Sequence, residues 1–152
     1  MKSMKSMSVK LRRRRWRSEK GVNLIEFALV FPLLLMVVLG IVDFAIVLHH
    51  SEVLTNAARE GARVATLPGY GAADVQIRVN EFTQVGGIAA APTVTVTATT
   101  IPTGAGAWPA TTVDVDYTHD YLFIGGIATW FGGSFSDIDL SAHATMRHEL
   151  LP

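Results

Sequence analysis

Thirteen carboxylates and five histidines are the side chains of this chain that could do chemistry. The histidines fall at 49, 50, 119, 143 and 148. His119, Asp120 and His143, together with Asp114 or Asp116, have the residue types of a divalent-metal site. Asp114, Asp116 and Asp139 share the acidic character of a loose calcium site. Neither set has a ligand spacing that sets it apart from chance, and solvated strand faces account for the same residues. The sequence contains no cysteine, so thiolate ligands, cysteine nucleophiles and disulfides are excluded. It also lacks a phosphate-binding glycine loop, a GxSxG elbow and an HExxH helix. The reading is therefore of a protein with no catalytic residues, no metal and no cofactor, and not an enzyme.

Two other acids are more informative because of what surrounds them. Glu26 lies between Ile25 and Phe27, and Asp43 lies between Val42 and Phe44. A carboxylate in an apolar run is costly in hydrocarbon and ordinarily faces protein, water or a partner charge. For Glu26 two readings stand: an interfacial acid near Arg17 and Lys20, or an acid that pairs with a charge on a neighbouring copy. Asp43 fits the opposite interface.

The element that positions both acids is a single apolar helix. Phe27–Val42 carries no charge, and the apolar character extends from Val22 to Leu48 if the two acids are tolerated. Those 27 residues reach about 40 Å as a helix, enough to cross a hydrocarbon core of about 30 Å. The remaining chain is too small and too polar to wrap a helix that is apolar on every side. Pro32 lies within the run and leaves the Ala28 carbonyl without its usual partner.

Charge fixes the expected orientation. Met1–Gly21 has nine basic residues and one acid, a net of +8, whereas Val22–Pro152 has four basic residues and twelve acids, a net of −8. Arg12–Arg15, Arg17 and Lys20 precede the apolar run, and no basic residue follows it before Arg59. Positive-inside bias places the N-terminus in the cytoplasm and the C-terminal part outside. The basic cluster is thereby explained by topology and lipid headgroups, with no nucleic acid as partner.

After the span, helix formers run to Thr66 and stop at Pro68-Gly69. Leu54, Ala58, Ala62 and Ala65 share one face, and their small size predicts close packing on the domain or on a neighbouring helix. Gly61 marks either a close contact or a bend. Arg59 and Arg63 share another face, with Glu60, Asp43 or lipid headgroups as candidate partners; Glu60 and Arg63 are spaced to pair.

Ala72–Val85 is predicted as an amphipathic helix with Ala72, Val75, Val79 and Phe82 on its apolar face, the alternative being a helix over Asp74–Thr83 only. Thr93–Thr99, Thr112–Thr118 and Asp139–Arg147 alternate apolar and polar residues, as strands with one polar face do. Pro102–Ala110 is expected to link the first two strands. Tyr121–Phe135 is uncharged and holds two glycine pairs. It reads as a core helix over Leu122–Phe131, as a subunit contact, or as a membrane-surface contact. The predicted class is α+β: a long N-terminal transmembrane helix continuing into a small exported domain with an antiparallel sheet of about three strands. The expected divisions are 1–21, 22–48, 49–67 and 68–152.

The sequence KGVNLIEFALVFP combines a basic leader, a glycine and, five positions on, a glutamate opening an apolar helix. It resembles the processing site of type IV prepilins and pseudopilins. The resemblance implies cleavage by a prepilin peptidase between Gly21 and Val22 on the cytoplasmic face, leaving the helix on a mature chain of 131 residues. It also implies that Glu26 neutralises a neighbouring subunit's N-terminus. With EFAL at Glu26–Leu29, Pro32, Asp43 and the AREGAR block at Ala58–Arg63, the chain is similar to the TadE-like family of the Tad (Flp-type) pilus system. His143–Glu149 resembles that family's closing strand.

That resemblance implies a minor pilin or pseudopilin. Glu26, Pro32 and Asp43 would serve assembly, and Arg59, Glu60, Gly61 and Arg63 would make membrane-proximal contacts. The implied partners are the prepilin peptidase, other Tad pilus subunits, inner-membrane assembly components and the lipid bilayer. The implied location is the bacterial inner membrane, single-pass, with incorporation in a pilus or pseudopilus. The alternative is a non-assembling, membrane-anchored extracytoplasmic binding module.

Overall fold

A computed structural model describes residues 19–104, 106–130 and 132–148. The basic leader up to residue 18, including Arg12–Arg15 and Arg17, lies outside the described residues, as does Glu149 at the end of the expected closing strand. The chain divides into two compact units, Met1–Leu35 and Met36–Pro152.

Helix α1 runs over Glu19–Ala65 and includes Pro32. In the first unit its apolar side chains face outward: Ile25, Phe27 and Leu29 are 70 %, 61 % and 76 % exposed. Phe27 and Phe31 stack with their ring centroids 5.3 Å apart, one turn from each other. The helix is long and apolar enough to cross a membrane, and only 11 % of its most apolar window is buried. A helix at the core of a soluble domain would have the opposite burial.

The second unit is a two-layer α+β arrangement. Helix α2 occupies Ala72–Val85, the span expected from periodicity. The Gly71 N–H donates to Asp74 Oδ2 at 2.8 Å, satisfying a donor at the helix entrance. At its other end Gly87 has φ +87°, a backbone state open to glycine. This lets the Gly87 N–H reach Gln84 O at 3.1 Å and the Ile88 N–H reach Thr83 O at 2.9 Å. These two bonds form a Schellman cap, and Ile88 is buried as its apolar residue. The buried face of α2 is Val75, Val79 and Thr83, with Phe82 at the edge of the core and Ala72 exposed. The expected face is thus rotated by one position near its end, because Thr83 satisfies its hydroxyl on Asn80 O at 3.1 Å.

Strands β1 (Thr93–Thr103), β2 (Gly106–Asp120) and β3 (Asp137–Arg147) form one antiparallel sheet in the order β1-β2-β3. The expected link over Pro102–Ala110 is corrected here. The pairing continues to Thr103↔Gly106, so both strands run through the prolines. Pro102 is on an edge strand. Pro109 lies beyond Arg147, the last β3 residue in the ladder, and only its carbonyl is used, by the His148 N–H at 2.9 Å. Both are places where a sheet tolerates a residue without an N–H.

The inner face of the sheet carries Val94, Val96, Val113, Val115, Tyr117, Leu140, Ala142, Ala144 and Met146. It packs under Val53, Leu54, Ala57, Ala58 and Ala62 of α1 and Val75 and Val79 of α2. The small residues of α1 therefore pack on the protein's own domain, one of the two outcomes their size allowed. The third helix, α3 at Ile124–Trp130, is shorter than the expected core helix over Leu122–Phe131. Among the described residues the segment around it contributes no member of the buried core, and Leu122 and Phe135 are each 65 % exposed.

Candidate assembly helix and membrane-proximal site

Gly21, Val22, Glu26 and Pro32 all lie in α1 within the first unit. Val22 and Glu26 are exposed, and Glu26 is flanked by exposed apolar side chains. Among the described residues Glu26 forms no ion pair. A carboxylate on such a surface is available to a charge brought by another molecule.

Asp43 is different. It belongs to the second unit and is fully buried. Its Oδ2 accepts the backbone N–H groups of Phe123 at 2.9 Å and Ile124 at 2.7 Å. The acid thus caps the start of α3 from a position eighty residues earlier in the chain. Its Oδ1 is buried and has no hydrogen-bond partner among the described residues. Asp43, Val47, His50, Leu54 and Ala58 recur at helical spacing, so Asp43 shares the face that meets the domain. That spacing was the signal in the sequence for an acid facing inward.

Near it, His50 and His119 meet through their Nδ1 atoms at 3.2 Å, beside the Tyr117 and Tyr121 rings. One of the two nitrogens must be an unprotonated acceptor for this bond to form. Burial is the main cause that pushes the His50 imidazole below its ordinary value, and the His119 and His49 charges add to it. The metal set considered from sequence is divided by the sheet. His119 is 5 % exposed on the inner face, whereas His143 pairs in register with Asp114 on the outer face. Among the described residues no group of three or more His, Cys, Asp or Glu residues could hold a metal.

The AREGAR block is built into the junction of α1 with α2. A Cβ placed on Gly61 would lie 2.8 Å from Val79 Cγ2 and 3.3 Å from Val75 Cγ1 and Val113 Cγ1. Gly61 therefore marks a close contact, where α2 and β2 both press on the α1 backbone. Beside it, Glu60 accepts from Arg63 through Nε at 3.0 Å and Nη2 at 2.7 Å. It also accepts from Arg78 of α2 through Nε at 3.1 Å and Nη2 at 3.0 Å. Arg59 stays on the exposed side, with Nη1 at 3.4 Å from Asn56 Oδ1.

The Arg63 hydrogen bonds are the largest influence on Glu60. With those of Arg78 they outweigh burial and hold its carboxyl at about 2, against an ordinary 4.5. Because the folded value is depressed, the stabilisation is present above about pH 4.5 and is lost as pH falls toward about 2. The two arginine side chains are 55 % and 45 % exposed, so water screens the pairs and weakens their effect on stability. In Glu60→Gln the thermal midpoint is expected to fall less between pH 5 and pH 2 than in the parent, roughly the window set by those two values. Circular dichroism melts across that range check it; parallel curves for the two proteins would remove Glu60 from the acid response.

Residues 21–63 match the model of the TadE-like protein family. Over this segment the chain is similar to TadE-like proteins. The matched segment opens on Gly21 and closes on Arg63, so it lies wholly within α1 and includes none of the sheet. It contains Glu26, Pro32, Asp43 and the Arg59–Arg63 block. No curated protein and no solved structure matches the chain. The match over this segment supports a role in pilus biogenesis, in association with the Tad pilus machinery. The TadE-like segment joins two kinds of surface. Its first part exposes apolar side chains and Glu26, and its later part is the helix on which the α+β unit is assembled.

Proposed function

We propose that this chain is a minor pilin or pseudopilin of Tad (Flp-type) pilus biogenesis, with α1 as both membrane anchor and assembly element. The observation that carries this reading is the coincidence of the TadE-like match with an exposed apolar helix bearing an exposed Glu26. The precursor inserts in the bacterial inner membrane with its basic leader in the cytoplasm. A prepilin peptidase cuts between Gly21 and Val22, and the mature chain retains the helix. Pro32 loosens one turn of that helix, since it cannot donate to Ala28.

During assembly α1 leaves the bilayer laterally and packs among neighbouring subunit helices. Glu26 pairs with the ammonium of a neighbour's Val22. In a water-poor environment an unpaired carboxylate is strongly disfavoured, so the pairing also enforces register between subunits. Asp43 has the complementary task of holding the membrane-proximal end of the domain to α1, and Arg59 is the cation of the block without a carboxylate partner among the described residues. The α+β unit is the exported part.

Glu26→Ala is expected to insert normally but to co-purify with the other pilus components at a level reduced roughly tenfold or more, the consequence of losing one desolvated charge pair. Affinity pull-down from cells expressing the whole Tad system, with membrane fractionation alongside, measures both. Unchanged co-purification would sink the pairing role of Glu26. Absence of every pilus component from the wild-type pull-down would favour the non-assembling binding module.

A further inference from the structure

The segment Tyr121–Phe135 has no part in the assembly scheme above, yet its start is hydrogen-bonded to Asp43 of α1. We propose that this segment is a second membrane contact: an uncharged wedge that seats the exported unit in the headgroup and acyl boundary of the bilayer beside the anchor helix. The inference rests on α1 crossing the bilayer, as proposed above.

Position is the first support. The hydrogen bonds from Phe123 and Ile124 to Asp43 place the start of the segment at the level of residue 43 on α1. The apolar run continues to Leu48, five residues further, or about 7 Å along a helix. The segment is thus held below the end of the apolar run, at the depth of about 5–10 Å that interfacial elements reach.

Surface chemistry is the second. Tyr121–Phe135 contains no charged residue. Leu122 and Phe135 are each 65 % exposed, and Phe123 is 38 % exposed. At the same level of α1, Phe44 and Leu48 are also more than half exposed. The apolar surface of the segment and that of the anchor helix therefore form neighbouring parts of one unit at one level. What covers the helix there also covers the segment, and a bilayer covers the helix.

The third support is Asp43. A carboxylate this close to hydrocarbon is costly unless it is satisfied, and so are the free N–H groups of a chain that enters the same layer. Each solves part of the other's problem: Oδ2 of the acid accepts the two amides, and the side chain is fully buried where the segment meets α1.

The absence of cysteine from the sequence makes site-directed labelling of the full chain direct. The chain is reconstituted into vesicles of phosphatidylethanolamine and phosphatidylglycerol that carry lipid-borne nitroxide quenchers. Single variants Leu122→Cys and Phe135→Cys carry an environment-sensitive fluorophore, with Leu34→Cys as the anchor control and Val85→Cys, on the exposed end of α2, as the solvent control. Leu122 and Phe135 labels are expected to lose about half as much emission as Leu34, mainly to shallow quenchers, while Val85 is unaffected. Asp43→Ala is expected to reduce the quenching at Leu122 but not at Leu34. Quenching at Leu34 with Leu122 and Phe135 behaving like Val85 would overturn the wedge and leave the anchor standing. Protection at those two sites that rises with protein density, without lipid quenching, would assign the surface to a second copy and also overturn it. No quenching at Leu34 would overturn the anchor and the wedge together.

Discussion

Replacing Asp43 by alanine is expected to destabilise the Met36–Pro152 unit by about 2–4 kcal/mol, the sum of a lost helix cap and two backbone donors left unpaired. The side chain is fully buried, and the Phe123 and Ile124 amides have no other place to turn without unwinding the entrance to α3. Asparagine keeps an acceptor oxygen in the same position but gives up the charge assistance, which roughly doubles the strength of such bonds. Asp43→Asn should therefore lose less than half as much as Asp43→Ala. Thermal melts in detergent give the order, and hydrogen exchange gives the place: protection should fall first at Phe123 and Ile124. A cost within about 0.5 kcal/mol for Asp43→Ala, the level of an ordinary surface change, would mean that the cap contributes little.

The second large effect is at Gly61. Leucine there must displace Val79, Val75 and Val113 together, since a Cβ alone already reaches 2.8 Å from Val79 Cγ2. The neighbouring α1 residues Ala57, Ala58 and Ala62 are fully buried, so the helix cannot shift aside without opening the core on its other flank. Overpacking of this kind costs about 3 kcal/mol or more when several atoms are added, equivalent to about 10 °C or more in the midpoint of a domain this size. Alanine is the graded control. It gains about 1 kcal/mol of helix propensity over glycine and loses about 1–3 kcal/mol to the close contact, so Gly61→Ala should be mildly destabilising. If Gly61→Leu melted with the parent, α1 and α2 would not be in the contact described.

Gly61 also explains why a short helical block belongs to the matched segment although it lies beyond the apolar run. The AREGAR sequence sets the approach of α1 to its own domain: the alanines and the glycine admit α2 and β2, and Glu60 ties Arg63 to Arg78 across the same junction. Only Arg59 of that block stays on the exposed side without a carboxylate partner among the described residues. A mutational scan of the block reads folding at Gly61, and surface contacts at Arg59.

Much of this organisation was legible in the sequence, and the reasons differ by element. Helix α2 could be bounded because a periodic apolar face ends at paired glycines. The inner faces of β2 and β3 could be assigned because Val113, Val115 and Tyr117, and Leu140, Ala142, Ala144 and Met146, alternate strictly with polar residues. The hairpin between β1 and β2 was harder. Prolines usually signal a break, and only the register shows that Pro102 is on an edge and Pro109 past the end of β3. The partner of Asp43 was out of reach for another reason. Backbone N–H groups leave no trace in residue identity, so an acid that caps a distant helix looks like any acid at the end of an apolar run. The same holds for His50 and His119, which are 69 residues apart and meet only because α1 crosses the inner face of the sheet.

Within the first unit, the residue types themselves carry the reading. A glycine, a glutamate five positions on and an uncharged apolar run describe a helix that must be covered by something else, whether lipid or sibling helices. The central proposition is that this helix is exposed by proteolysis at its start and then used for assembly. Intact-mass measurement of the protein purified from cells that contain an active prepilin peptidase tests it most directly. A mature chain beginning at Val22 and comprising 131 residues is the expected product. A chain that still carries Met1–Gly21 in those cells would contradict it.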